Sequence, residues 1–318
     1  LGKHRLKRGN LIDTVTGALA SAPLIEALAP GKLSTVSWLE GVKDLGLLDY
    51  VLTPVSIAAP IREAVRDGVA GRPLRFGELV LKGVRATVEN RLVGTNTVLG
   101  YLMLAVPLSY ALGIRLGRAE CFGGVEDVAA ECSEVVKPYL ETEDCGTLYD
   151  AILRACGCRS LRSFIGRVPD VTSCAGKVCG ASVWEVLSNS SYYDLNSAEI
   201  TRGFKLTRLA LAELKRRLRP APAGALPKAE DLLNAVLVTH TRLLSEVLDT
   251  LVVRSWGLPT AELVRSLARG LTPSSPAWGR ASRFLRTHDV NPGSVSDVLA
   301  AAVALYLVGV SIEGRYSR

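Results

Sequence analysis

Apolar residues recur at intervals of three and four along most of this chain and strict alternation is almost absent, so the pattern predicts helices and no sheet. Leu233, Val236, Leu237, His240, Leu244, Val247, Leu248 and Leu251 form one such stripe and predict a single helix of about 25 residues. Residues 127–136, 148–156, 206–218 and 261–268 read the same way. Two segments are apolar on every side: residues 92–114 carry no charge over 23 positions, and residues 298–312 none over 15. The second is too short to cross a bilayer, and the first is interrupted by Thr95, Asn96, Thr97, Pro107, Ser109 and Tyr110. Both are expected at the centre of a helical domain, buried in protein rather than lipid. Pro54, Pro60, Pro73, Pro138 and Pro227 are expected at helix starts and ends, with connectors at 219–227 and 271–279. Residues 156–181, with their Cys, Gly and Arg, read as one irregular stretch, and no fixed-period repeat occurs. The expected fold class is all-α: a single multi-helical domain over residues 1–318, with about a dozen helices and central apolar ones.

Composition narrows the partners. At 48% hydrophobic and 22% charged residues the chain is neither disordered nor fibrous. Lys and Arg number 38 against 31 Asp and Glu, a surplus of +7 that suits polyanionic partners such as nucleotides, CoA or nucleic acid. Aromatics are only 6%, and neither a basic stripe nor a groove-reading motif appears, so no nucleic-acid partner is expected. The chain contains no Gln and one Met, which points to a heat-adapted source. The basic opening segment lacks the pattern of a signal peptide, so a cytoplasmic location is expected. All seven cysteines fall between Cys121 and Cys179. They read as small buried hydrophobes, with Cys156 and Cys158 or Cys174 and Cys179 able to supply a disulfide. A zinc site would need unusual spacing, since no C-x-x-C pair occurs.

No Walker motif, dinucleotide glycine fingerprint, H-E-x-x-H or G-x-S-x-G is present. Chemistry must come from polar clusters at helix starts. Gly94-Thr-Asn-Thr97 opens the first apolar helix, and Asn291-Pro-Gly-Ser-Val-Ser-Asp297 opens the last with an acid in its first turn. Asn96, Thr97 and Ser294 are either ordinary caps or an anion site at the positive end of a helix. Asp194 and Glu199 share a site only if Asp194 stands at a helix start. Asp249 projects opposite the apolar stripe, onto a wet face or into a cleft, and Thr250 and Arg254 are four apart and can act together. Lys7-Arg-Gly-Asn10 is a basic turn that could grip phosphate or remain a solvated tail. His240 falls on the apolar stripe as a core residue, so catalysis is expected to lean on carboxylates and a divalent cation.

In this order the clusters resemble the triphosphoribosyl-dephospho-CoA synthase family, and its archaeal branch in particular. The matching pieces are Lys7-Arg-Gly-Asn10, Gly94-Thr-Asn-Thr-Val-Leu-Gly100, Thr142-Glu-Asp144 with Tyr149-Asp-Ala151, Tyr193-Asp194 through Glu199, Asp249-Thr-Leu251 with Arg254, and Asn291 through Ala300. The resemblance implies an all-α transferase that joins the triphosphoribosyl group of ATP to the 2′-hydroxyl of 3′-dephospho-CoA and releases adenine. On that footing Asp194 and Glu199 are the expected catalytic pair, and Asp249 and Asp297 the expected Mg²⁺ ligands. Lys7, Asn10, Asn96, Thr97, Thr250, Arg254, Gly293 and Ser294 would bind substrate and phosphate. A homodimer is compatible with the reading. Where bacterial operon enzymes of the family carry His-Lys after the Asn-Thr pair, this chain has Val98 and Leu99. The alternative is therefore a non-catalytic or altered-substrate helical homologue that holds a nucleotide or CoA derivative.

Overall fold

The computed structural model describes residues 8–42, 45–90, 92–118, 124–157, 168–218 and 225–316. Among these residues there are fifteen helices and no strand. The first half comprises α1 (Arg8–Leu28), α2 (Leu47–Ala70), α3 (Phe76–Val88), α4 (Leu99–Gly117), α5 (Val125–Leu140), α6 (Gly146–Cys156) and α7 (Val171–Cys174). Then follow α8 (Val183–Ser190), α9 (Leu195–Thr201), α10 (Lys205–Arg217), α11 (Ala229–Glu246) and α12 (Thr250–Trp256), with α13 (Leu258–Gly270), α14 (Pro276–Thr287) and α15 (Gly293–Tyr316) closing the chain.

The two segments without polar faces are α4 and α15, and they form the centre, as all-round apolar helices must. α4 lies against α2, α3 and α5, while α15 lies against α1, α10 and α11, and the two touch each other. Along α4 every residue from Tyr101 to Gly113 is buried. α2 and α4 approach so closely that a Cβ on Gly68 would sit 2.2 Å from the Tyr110 carbonyl oxygen, and one on Gly113 2.2 Å from that of Val65. Among the described residues three helices are long and apolar enough to cross a membrane: α4, α15 and, beyond the two segments singled out in the sequence, Gly9–Leu28 of α1. In α4 and α15, 78% of the apolar window is buried against the rest of the chain, and in α1 half is.

Some boundaries differ from the periodic reading. The predicted 25-residue helix is two, because the Asp249 side chain accepts from the Val252 N–H at 3.0 Å and so starts α12 afresh. Pro54 and Pro60 lie inside α2 and Pro138 inside the last turn of α5 rather than between helices. There the burial of the helix face outweighs a lost backbone hydrogen bond. The second connector ends early, since Ser275 caps α14 by accepting from Trp278 N–H at 3.2 Å, with Pro276 in its first turn.

The segment between α1 and α2 is stitched to the far end of the sequence. Trp278 Nε1 donates to the Gly31 carbonyl (2.7 Å), Ser34 Oγ to that of Val290 (2.5 Å) and Arg286 to that of Thr35 (3.1 Å). Lys32 is fully buried and reaches Glu26 at 2.5 Å. This segment forms one wall of the cavity described next.

Candidate active site

Four helix starts meet beside the centre. At α4, Asn96 Oδ1 accepts from the Val98 and Leu99 N–H groups (3.2 and 2.9 Å), and Thr97 is tied to Thr53 of α2 at 3.0 Å. At α9, Asp194 Oδ2 accepts from the Ser197 N–H (2.9 Å), while its other oxygen faces Arg254 at 3.2 Å. At α12, Asp249 Oδ1 takes the Val252 N–H and Oδ2 takes the Val295 N–H of α15 at 2.8 Å. At α15, Ser294 Oγ accepts from the Leu251 N–H and from Thr250 Oγ1, both at 3.1 Å, and Thr250 Oγ1 accepts from the Leu195 N–H at 3.0 Å. Each short polar side chain thus satisfies orphan donors of its own helix start or of a neighbour's, and together they lock α9, α12 and α15.

Between the starts of α4 and α15 lies a cavity of about 140 Å³, walled also by Glu26, Thr35 and Val36 from α1 and the segment after it, and by Tyr50 of α2. Asp297 projects into it from the second turn of α15, one turn later than the sequence pattern placed it, because the helix begins only at Gly293. Gly100 is what makes room. A Cβ there would lie 1.9 Å from Asp297 Oδ2 and 2.5 Å from Asn196 Nδ2, which itself donates to that oxygen at 3.2 Å.

The electrostatics single out the same residue. Burial pushes the Asp297 carboxyl up to about 8; the Asn196 hydrogen bond offsets this in part, and the nearby Asp249, Glu26 and Asp194 add to it. Asp249 rises only to about 6, because backbone N–H groups oppose its burial. Burial, with Glu26, Asp297 and Asp49 nearby, raises the Tyr50 phenol and keeps it protonated. Thr35 Oγ1, Ser296 Oγ and Asn196 Oδ1 are buried and have no hydrogen-bond partner among the described residues. Thr35 and Ser296 line the cavity. Unsatisfied polar atoms around a hollow are what a polar ligand would complete.

Of the residues chosen from sequence, Asn96, Thr97, Gly293 and Asp297 line this cavity. Asp194, Asp249, Thr250 and Ser294 lie in the hydrogen-bonded knot of helix starts, with Arg254 on Asp194. Glu199 points elsewhere: it accepts from the Leu206 and Thr207 N–H groups (2.9 and 2.7 Å), capping α10, and burial pushes its carboxyl up. Asn10 is exposed near the opposite end of α1 from Glu26, roughly 24 Å along the helix at 1.5 Å per residue. Lys7 lies outside the described residues. Glu26, Tyr50, Asn196 and Thr35 were not singled out; the one available signal was Glu26, a lone charge between apolar positions of α1. No Lys or Arg appears among the described lining residues, and Val98 and Leu99 stand on the wall.

The profile of the ATP:dephospho-CoA triphosphoribosyl transferase family matches residues 12–315. A crystal structure from Archaeoglobus fulgidus, provisionally assigned as a triphosphoribosyl-dephospho-CoA synthase, aligns with 80% of this chain and 96% of its own at a TM-score of 0.58 and 19% identity, a likeness of fold. A search of curated proteins returns no match.

Proposed function

The chain belongs to the ATP:dephospho-CoA triphosphoribosyl transferase family, and from that premise we propose that the reaction takes place in the cavity between α4 and α15, with Asp297 as its base. In the reaction the C1′–N bond of the ATP ribose breaks, a bond from C1′ to the 2′-oxygen of dephospho-CoA forms, and adenine leaves. The hydroxyl proton passes to Asp297, and adenine takes one up as it departs. A carboxylate whose affinity for protons is raised to about 8 is a far better base than an ordinary one near neutral pH. Its negative charge also lies where the ribose centre becomes cation-like. Tyr50, protonated and facing the hollow, is placed to donate a hydrogen bond to the leaving base.

The cavity is smaller than the roughly 300–1,000 Å³ of typical ligand clefts, so it takes the reacting ends and leaves the phosphates outward. Mg²⁺ would neutralise the triphosphate. Asp249 belongs to the knot of helix starts, whereas Glu26 and Asp297 are the carboxylates that line the cavity. With Asp297 as the base, Glu26 would hold the cation there. Asp194 and Arg254 act as positioning residues behind the wall.

The observation that carries this reading is the cavity-lining acid held against a glycine at the meeting of two helix starts. Incubating the protein with Mg²⁺, ATP and dephospho-CoA should release free adenine and give a product heavier by the triphosphoribosyl group, read by liquid chromatography and mass spectrometry. Tight binding of both nucleotides without adenine would overturn it and favour the non-catalytic homologue, which the apolar Val98 and Leu99 on the wall would suit.

A further inference from the structure

A second cluster lies where α6 begins. Cys145 precedes α6, and Cys174 and Cys179 sit at either side of a tight turn after α7. The Cys179 thiol donates to the backbone carbonyl oxygens of Cys174 (3.2 Å) and Lys177 (3.4 Å). A carboxylate oxygen of Asp144 and the sulfurs of Cys145 and Cys179 all lie within 4.8 Å of one another. None of Cys145, Cys174 and Cys179 is in a disulfide.

The backbone is arranged around this group. Asp144 accepts from the N–H groups of Gly146 (2.9 Å), Cys179 (2.9 Å to Oδ2) and Gly180 (2.9 Å), so its carboxylate is fixed. The turn lies so close to α6 that a Cβ on Gly146 would come within 1.7 Å of the Lys177 carbonyl oxygen. Gly176 and Gly180 take left-handed backbone conformations, φ +70° and +72°, that bring Cys179 back toward Cys174. Yet no residue from Val168 to Ser182 is buried, and Val178 is 89% exposed. What apolar packing the turn has is a small half-buried cluster, in which Val168, Val171, Ala175 and Ala181 lie against Tyr149 and Val186 beside the cysteines.

We infer that Cys145, Cys179 and the Asp144 carboxylate bind a structural zinc ion that staples this turn to the start of α6, with Cys174, on the other side of the turn, swinging its sulfur in as fourth ligand. Four residues separate Cys174 from Cys179, within the two to four usual between paired zinc ligands. A tetrahedral ion with Zn–S bonds of about 2.3 Å needs sulfurs roughly 3.8 Å apart, so Cys145 and Cys179 need approach only slightly, whereas Cys174, outside the 4.8 Å group, must turn its side chain inward. The N–H groups on Asp144 are the outer-shell contacts that orient a ligating carboxylate. Binding turns three thiols into thiolates and releases their protons to solvent.

The test uses the full chain, purified under reducing conditions and reloaded with Zn²⁺. One zinc per chain should survive gel filtration and be released by a mercurial that blocks thiols. Cys145→Ser and Cys179→Ser should lose the ion, Cys156→Ser should keep it, and Asp144→Asn should bind roughly 10- to 100-fold more weakly. Should the serine variants fail to fold, the unaltered chain carrying Co²⁺ still decides, since sulfur-to-cobalt charge transfer with tetrahedral d–d bands is expected. Zinc well below one per chain after reloading, a cobalt spectrum without sulfur bands, or a Cys174–Cys179 disulfide formed in place of metal binding would each overturn the inference. None of these readouts depends on adenine release.

Discussion

Asp249 is buried and Asp297 half-buried at the cavity wall; both adjoin the start of α15, and they are held in opposite ways. Asp249 belongs to the knot of helix starts, where its oxygens take the Val252 and Val295 N–H groups and Thr250 and Ser294 complete a closed set of hydrogen bonds. Asp297 belongs to the cavity wall, where Asn196 is its hydrogen-bond partner and Thr35 and Ser296 carry buried polar atoms without one. The contrast separates two uses of a buried polar group. A satisfied one fixes shape, whereas an under-satisfied one remains in a folded chain only where shape is held by something else. The knot supplies the rigidity that lets the wall remain incomplete.

The contrast can be broken by substitution, most sharply at Asp297. Asp297→Asn should lower the rate of adenine release by about 10²- to 10⁴-fold, the usual contribution of a positioned base, while leaving the melting temperature unchanged or raised. A normal rate in that variant would remove Asp297 from the chemistry. Gly100→Ala drives a methyl group into Asp297 and Asn196, and should cost on the order of 10²-fold in rate through misplacement of the carboxylate. Its circular dichroism should stay helical. Asp249→Ala strands two buried N–H groups and should show the reverse pattern, a loss of about 2–4 kcal/mol in urea unfolding.

Proton linkage gives a subtler test. The folded Asp297 carboxyl, at about 8, lies above its unfolded value near 3.9, so its contribution to stability is full below about pH 4 and is lost as pH rises through 8. Over the same interval kcat/KM should climb as the base ionises. In Asp297→Asn both the fall in stability and that limb of the rate profile should flatten. The smallest change is expected from Glu199→Gln, which keeps one acceptor for the first turn of α10: about 1 kcal/mol in stability and no change in kcat. A kcat collapse there with an intact fold would return Glu199 to the catalytic pair.

The all-helical fold, the two central apolar helices and the polar starts of α4, α9 and α15 were all legible in the sequence, since period, uncharged length and capping residues are local signals. The break at Asp249 was not. Its apolar stripe continues from α11 into α12, and only the side chain's grip on two separate helix starts ends the first helix. The roles within the site were hidden for the same reason. An Asp at a helix start looks alike in sequence whether its oxygens meet backbone, as in Asp194 and Asp249, or empty space, as in part for Asp297. Glu26 could not be paired with Asp297 from sequence, because 270 positions separate them and no periodicity spans that interval.

The stitching of residues 31–35 to Trp278, Arg286 and Val290 bears on biosynthesis. An emerging polypeptide can form α1 through α5 against one another early, but the wall carrying Thr35 and Glu26 finds its counterpart only when the closing helices leave the ribosome. Until then Lys32 has its neighbour Glu26 but no roof, and a nascent fragment is helical and inert. Catalytic competence waits for α15, and a nonsense mutation ahead of Gly293 should abolish it as completely as one within α1.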